Sequence, residues 1–205
     1  MQTSRVLSQA EEKALLAQPN TDYPVELRNL AILQLFLKHG LRLSEQLSLK
    51  WEHTDLSSGT IYISGSNGIR DRHVQLSGRT KETVTAWKRR QASEIQKRVF
   101  ARDTGGEPEY VLTNLKGGRI TRRYIRRMVN GNGNDADIDG DVTINTLRKT
   151  FASNLYDKTE NIRQVQKALG HEDLSTTMMF TGIVPSQLKQ EPLPEMFNTQ
   201  QRSHR

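Results

Sequence analysis

The chain of 205 residues is long enough to bury one substantial hydrophobic core, and its lack of cysteine excludes disulfide bonds and thiolate metal sites. Thirty Lys and Arg residues against 23 Asp and Glu residues give a formal net charge of +7, which favours a polyanionic partner. No apolar stretch is long enough to cross a membrane, so we expect a soluble, cytoplasmic protein without a membrane partner.

The first part of the chain predicts three helices. A short helix is expected over residues 10–17. Apolar residues then recur at helical spacing from Leu27 to Leu37, and Gly40 ends this second helix. Ser44 is a suitable cap for a short third helix.

The rest of the chain predicts a β-hairpin followed by further helices. Segments 60–63 and 73–76 are rich in β-prone residues and flank a turn at 65–68. We therefore expect a single domain, mainly α with a small antiparallel β-sheet, with a core over about 8–183 and a C-terminal tail over 184–205. The remaining helices are expected at about 80–99, 120–130, 146–157, 161–169 and 175–180, with loops at 103–108 and 130–141.

Two short motifs contain arginines suited to holding a phosphate. Arg42 lies in the sequence GLRLSE and Arg148 lies in LRKTFA. A guanidinium group keeps its charge, and its planar fork can donate to two phosphate oxygens at once. Taken alone, such an arginine is more often a surface residue or a member of a salt bridge at the rim of the core.

A third motif places these arginines in an ordered series. Residues 169–180 read LGHEDLSTTMMF, in which His171 follows Leu-Gly and Phe180 ends the segment. The motifs GLRLSE, the hairpin, LRKTFA and LGH run in the order found in tyrosine recombinases, the phage-integrase family. The resemblance covers about residues 25–185, and in its short length the chain resembles the fimbrial-type invertases of the family. It implies the tyrosine-recombinase catalytic-domain fold, a DNA breaking-rejoining fold, with no N-terminal core-binding domain before it.

The resemblance implies a retained phosphate cradle. Arg42 and Arg148 match the two family arginines that bind the DNA phosphate. His171 matches the His/Trp position that donates to the same phosphate, and Glu45 matches the acid that supports the first arginine. On its own, His171 is equally well explained as a histidine at a helix end.

Three positions that move protons or bonds in the family carry other residues here. The hairpin lysine, the general acid for the leaving 5′ oxygen, falls on Asn67. The residue three before the second arginine, usually histidine, is Asn145, and the nucleophilic tyrosine is replaced by Phe180. Each has a local explanation: Asn145 could cap a helix, Asn67 suits a tight turn, and Phe180 could be a core aromatic. Together they predict a degenerate active site, because phenylalanine has no oxygen with which to attack.

A cluster of arginines predicts the DNA-contacting helix. Residues 119–129 read RITRRYIRRMV, in which Ile120, Tyr124 and Met128 form an apolar ridge. The opposite face contains arginines and no acid, which is unusual for a merely solvated face. Two hairpin arginines are further candidates. The predicted DNA contacts are Arg70, Arg72, Arg119, Arg122, Arg123, Arg126 and Arg127.

The resemblance implies a protein that binds double-stranded DNA in DNA recombination or integration, as part of a mobile element. The three replaced positions imply that it does not cleave this DNA. It would be an accessory or regulatory binder associated with the nucleoid, with no cofactor and no metal. The C-terminal tail would dock on a second copy or on a partner recombinase.

Other functions remain open at this point. An active recombinase would need a nucleophile from a partner, a deliberate replacement of tyrosine at position 180, or another hydroxyl, for which Thr181, Tyr124 and Tyr156 are candidates. The basic helix could bind RNA instead. The sequence DADIDGD over 135–141 matches the start of a calcium loop, but the closing position is Thr146 rather than glutamate, so a solvated acidic loop is preferred.

Overall fold

The computed structural model describes residues 5–65, 71–99 and 108–182, and it is mainly helical with one small antiparallel sheet, as predicted. The strands are β1 (Thr54–Asp55), β2 (Thr60–Ile63) and β3 (Arg72–Gln75), and a 3₁₀ turn, Trp51–His53, leads into β1. The helices are α1 (Gln9–Ala17), α2 (Pro24–Leu37), α3 (Leu43–Ser48), α4 (Gly78–Val99), α5 (Arg122–Asp135), α6 (Ile144–Thr159), α7 (Ile162–Leu169) and α8 (Leu174–Thr181).

Helix α2 forms the centre of the core. Its residues 31–37 are all buried, and the helix packs against α4 and α6. Trp87 of α4 is fully buried, and its indole N–H donates a hydrogen bond of 2.7 Å to the carbonyl of Val111. Burial of large apolar side chains is the main stabilising contribution here.

The sheet has the order β1-β2-β3 with antiparallel neighbours, which confirms the predicted hairpin. Ile61 pairs with Val74, and both side chains face the core. Because side chains alternate along a strand, Arg72 shares the inner face with Val74, whereas His73 is exposed. The register therefore buries an arginine that the sequence analysis placed on the DNA-contacting surface.

Helix α6 begins earlier than predicted. Thr143 is its N-cap, because the Thr143 hydroxyl accepts a hydrogen bond of 3.1 Å from the backbone N–H of Thr146. The interpretation of Asn145 as a helix cap is therefore wrong. Asn145 is an exposed residue in the first turn of α6.

Helix α5 begins later and ends later than predicted. Thr121 caps it, so the helix runs from Arg122 to Asp135 rather than over 120–130. Near its end, a Cβ added at Gly133 would lie 2.6 Å from Cβ of Val142. Glycine therefore permits the close approach between α5 and the segment that leads into α6.

The turn between α2 and α3 requires glycine at position 40. Gly40 has φ +64°, and a Cβ there would lie 2.4 Å from the ring of Phe151 on α6. The turn thus packs directly onto α6, which brings Arg42 close to Arg148.

A second apolar cluster attaches α7 and α8 to α6. It consists of Ala152, Ile162, Val165 and Leu169, with Phe151, Leu155, Tyr156, Leu174, Met178 and Phe180 packed against it. The cluster positions the loop containing His171. Across the described ranges, no helix combines the length and the apolar character that a membrane span requires.

Candidate functional site

The two motif arginines lie side by side. Arg42 precedes the first residue of α3, and Arg148 lies in the second turn of α6, where its Nε donates to the Gly40 carbonyl at 3.0 Å. Within the described residues, Nη2 of Arg148 and Nε of Arg42 are buried and have no hydrogen-bond partner. Buried donors without acceptors are rare and costly. This pair is therefore suited to receive an anion.

The charge of Arg148 is maintained at a cost. Only 8% of the residue is exposed. Burial, followed by the nearby positive charge of Arg42, lowers the Arg148 pKa to about 10. The guanidinium remains charged at neutral pH, since about 10 is still well above 7.

The Glu45 carboxylate joins the side chain of Arg72 to the start of α3. Its two carboxylate oxygens accept bidentate hydrogen bonds from Arg72, both of 2.8 Å, and Oε2 also accepts the Arg42 backbone N–H at 2.7 Å. The last bond makes Arg42, rather than the predicted Ser44, the N-cap of α3. Burial alone would raise the Glu45 pKa, but the hydrogen bonds and charge of Arg72 hold it below its usual value. Glu45 therefore remains ionised.

Arg72 is a structural arginine in this arrangement. Besides its bonds to Glu45, its Nε donates to the Ala168 carbonyl at 3.1 Å, close to the end of α7. Only 7% of Arg72 is exposed. Since all three nitrogens have protein acceptors, this geometry argues against the predicted DNA contact. Arg72 joins β3, α3 and the segment before His171 instead.

His171 lies in the loop after α7, beside the two cradle arginines. Its Nδ1 lies 3.0 Å from the Thr177 hydroxyl oxygen, and the residue is 6% exposed. Burial first, and then the charges of Arg42 and Arg148, lower the His171 pKa to about 4. The ring is therefore neutral at pH 7.

Phe180 of α8 lies in the same site. Its ring centroid is 5.2 Å from the guanidinium carbon of Arg148, a cation–π distance, and 5.8 Å from the His171 ring, which it meets at 88°. Nζ of Lys149 lies 5.9 Å from the same centroid. Phe180 is partly buried and packs against the edge of the second apolar cluster, so it contacts both that cluster and the site.

Of the three hydroxyls considered as substitute nucleophiles, those of Thr181 and Tyr124 have other hydrogen-bond partners. The Thr181 hydroxyl donates to the Thr177 carbonyl at 3.0 Å. The Tyr124 hydroxyl donates to Oδ1 of Asn29 at 2.9 Å and accepts from Arg28, on the inner side of α5. Tyr156 packs against the second apolar cluster. None of the three lines the cleft described next.

An open cleft of about 620 Å³ extends from the cradle to the basic helix α5. Because Arg122 and Arg126 are one helical turn apart, both face this cleft. Arg123 and Arg127 are exposed but do not line it. The cleft is lined by Arg42, Leu43, Ser44, Arg122, Arg126, Asn130, Asp141, Val142, Thr143, Ile144, Asn145 and Arg148.

Arg119 lies apart from the helical arginines. It precedes α5, its guanidinium carbon is 4.5 Å from the Tyr110 ring centroid, and Nη2 donates to the Leu47 carbonyl at 3.0 Å. Of the five arginines predicted to share one face, two line the cleft, namely Arg122 and Arg126. The hydroxyls of Ser44 and Thr143 also lie in the cleft, and proximity to the motifs was their only functional signal in the sequence.

Some predictions fall outside the described residues, namely Asn67 and Arg70 of the hairpin turn and the tail over 184–205. The acidic loop is described. Asp141 there accepts a hydrogen bond of 3.1 Å from Asn130, and Ile138 is buried. In the part of the chain that the structure covers, no three His, Asp or Glu side chains are grouped to hold a metal. The calcium alternative therefore gains no support.

Comparison with known proteins identifies the class. Residues 5–185 match the model of the phage integrase family, so the chain belongs to that family of tyrosine recombinases. Among curated relatives, it is 34% identical over 184 residues to tyrosine recombinase XerD of Pseudomonas aeruginosa, which covers 89% of this chain and 59% of the relative. It is 31% identical over 183 residues to tyrosine recombinase XerC of Halalkalibacterium halodurans, with the same coverage of 89% and 59%.

Solved structures agree with this assignment. The crystal structure of XerA recombinase matches with a TM-score of 0.70 and 27% identity, covering 89% of this chain and 62% of that one. The XerH recombinase bound to its difH substrate before cleavage matches with a TM-score of 0.69 and 25% identity, covering 86% and 49%. The chain thus spans about three fifths of the curated relatives' length. The specific likeness to fimbrial-type invertases stays a prediction.

Proposed function

We propose that this chain binds double-stranded DNA in the cleft between α3, α5 and α6 and does not cleave it. The observation that carries the proposal is the position of Phe180 against both Arg148 and His171. In tyrosine recombinases this sequence position holds the tyrosine that attacks a DNA phosphate. A phenyl ring has no oxygen, so the phosphate-binding groups persist without the attacking atom.

Three features support DNA as the ligand. The chain has a formal net charge of +7, and four arginines line one cleft. The XerH relative, at 25% identity, is described as bound to its difH substrate. Because backbone phosphates carry the duplex charge in every sequence, Arg42 and Arg148 would hold one phosphate while Arg122 and Arg126 hold its neighbours.

The residues that would move protons support the same conclusion. Asn145 is exposed in the cleft, and its amide can donate a hydrogen bond but cannot transfer a proton at neutral pH. Asn67, at the position of the general acid, has no acidic proton either. Binding without cleavage corresponds to an accessory or regulatory role. The protein would occupy recombination-like sites on nucleoid DNA in the cytoplasm, beside a second copy or a partner recombinase held by its tail.

Incubation with a nicked suicide duplex, which traps the covalent intermediate of tyrosine recombinases, tests this proposal. We expect no covalent protein–DNA band on denaturing gels, although the duplex is retained in native gels. A covalent band that disappears on mutation of Tyr124, Tyr156 or Thr181 would instead establish an active enzyme with a displaced nucleophile.

The variant Phe180→Tyr extends the same experiment. It should yield at most a trace of covalent product, because Asn67 and Asn145 still lack the proton-transferring groups, each of which typically contributes about 10²–10⁴-fold to rate. Robust cleavage by this variant would show that the two asparagines are compatible with catalysis, and that Phe180 alone inactivates the chain.

The double variant Arg122→Ala/Arg126→Ala is expected to weaken duplex binding and reduce its salt dependence. Both arginines line the cleft, and each lost phosphate contact lowers the slope of log affinity against log salt by roughly one unit. Titration of a labelled duplex at several salt concentrations measures both quantities.

The matched control removes the same charge elsewhere. Arg89 on α4 and Arg163 on α7 are exposed and do not line the cleft, so Arg89→Ala/Arg163→Ala should leave the slope nearly unchanged. Equal losses in the two double variants would indicate that binding follows net charge alone and would remove the cleft as the DNA-binding site.

A further inference from the structure

We propose that Thr177 is a positioning residue that fixes His171 in the tautomer with its proton on Nε2. The ring then offers a neutral hydrogen-bond donor to an oxyanion held by Arg42 and Arg148. The role of this donor toward DNA rests on the proposed function, whereas the tautomer is a property of the free protein.

The Thr177 hydroxyl makes an unusual hydrogen bond for a threonine in a helix. Threonine hydroxyls within helices commonly donate to a carbonyl one turn earlier, and Thr150, Thr159 and Thr181 all do so here. The Thr177 hydroxyl has no such bond to its own helix. Its partner among the described residues is Nδ1 of His171, at 3.0 Å.

The burial of Thr177 determines which group donates the hydrogen bond to the other. Thr177 is 0% exposed, so its hydroxyl proton has no access to water. If the imidazole donated from Nδ1, the hydroxyl would accept that bond and its own proton would have no acceptor. If the hydroxyl donates to the lone pair on Nδ1, no polar hydrogen is left unsatisfied. The second arrangement is favoured, and it requires the ring proton to be on Nε2.

The His171 ring is uncharged at neutral pH. A doubly protonated imidazole would donate from both nitrogens and would leave the Thr177 proton without a partner. Burial and the charges of Arg42 and Arg148 lower the His171 pKa to about 4, so one ring proton is present at neutral pH. The choice of nitrogen therefore decides how the ring meets a ligand.

The position of the ring proton decides whether His171 attracts or repels a phosphate oxygen. Because Thr177 occupies Nδ1, Nε2 is the nitrogen left for a ligand. With a proton there, the ring donates to a phosphate oxygen. With a lone pair there, it would repel that oxygen. Phe180 packs edge-to-face on the same ring at 5.8 Å and limits its rotation. The function of Thr177 is thus to keep the third group of the cradle a donor.

Nitrogen-15 NMR of the histidine-labelled full chain tests the proposal. The chain has five histidines, so the spectrum of a His171→Gln variant identifies the His171 signals. We expect the Nε2–H pattern in long-range proton–nitrogen correlations at pH 7. In Thr177→Val, which keeps the shape but removes the hydroxyl, the Nδ1–H form should become substantially populated. Thr177→Ser should retain the Nε2–H pattern.

Duplex titration of the same variants separates the tautomer assignment from the proposed role of His171 in DNA binding. Thr177→Val should weaken binding by about tenfold, the usual scale for one hydrogen bond to a charged group, and Thr177→Ser should bind as the parent does. An Nδ1–H pattern in the parent, or an unchanged pattern in Thr177→Val, would overturn the proposal whatever the DNA affinity. A switched tautomer with unaltered affinity would leave the tautomer assignment standing but would remove His171 from the DNA-binding groups.

Discussion

Replacing Glu45 by glutamine is expected to lower the free energy of unfolding by about 3–5 kcal/mol, because it leaves a buried guanidinium without its anion. Glu45 and Arg72 are joined by two hydrogen bonds of 2.8 Å, and both side chains are only 5% exposed. A glutamine in this position would present an amide to donors that need acceptors. Arg42 and Arg148 would then add their charges to a cluster with no carboxylate.

Chemical denaturation of the parent and the variant measures the loss, and Glu52→Gln is the matched control. Glu52 makes an exposed ion pair with Lys50 at 3.4 Å, and such pairs contribute only about 0–1 kcal/mol. A further variant, Glu45→Gln/Arg72→Met, should recover part of the loss, since it removes the orphaned charge. Similar effects of Glu45→Gln and Glu52→Gln would mean that the buried pair contributes no more than a surface pair.

The convergence of Arg42, Arg148 and His171 could be anticipated from sequence because glycines in two of their motifs mark the turns that position them. Gly40 two residues before Arg42 permits the turn onto α6, and Gly170 before His171 ends α7 with φ 64°. These are local constraints with a direct signature in the amino-acid sequence. The structure accordingly brings all three residues to one site.

Arg72 shows where sequence reasoning was insufficient. Charged residues are rarely buried, so an arginine in a hairpin is first assigned to the surface. The alternation in β3 places it on the inner face with Val74, but only the register with β2 shows that this face meets α3. The partner, Glu45, lies 27 positions earlier, and a pairing at that separation has no local signature.

The basic helix shows a similar limit. Composition identified the arginines of 119–127, but it did not determine which of them share a cleft with the cradle. That depends on the cap at Thr121, which excludes Arg119 from α5, and on the close approach at Gly133, which sets how α5 meets the start of α6. Both are tertiary facts about helix boundaries and packing.

Replacing Arg148 by methionine is expected to change stability and DNA binding in opposite directions. Its side chain is almost fully buried, Nη2 has no acceptor among the described residues, and Arg42 repels it. The free protein therefore bears the cost of a buried cation with an unsatisfied donor. Methionine fills similar space without a charge, so the free energy of unfolding should rise by about 1 kcal/mol despite the lost bond to Gly40.

Duplex affinity should fall in the same variant on the order of a hundredfold, because about two charge-assisted hydrogen bonds to a phosphate are lost. Arg89→Met removes the same charge from an exposed position outside the cleft and should change neither quantity by more than about 0.5 kcal/mol. If Arg148→Met destabilised the protein by several kcal/mol, Arg148 would be a structural residue whose partners are already satisfied. If affinity were unaltered, no phosphate would be bound by the cradle. A gain in stability together with a loss of duplex affinity in Arg148→Met would indicate that the folded protein holds an unpaired charge for a ligand.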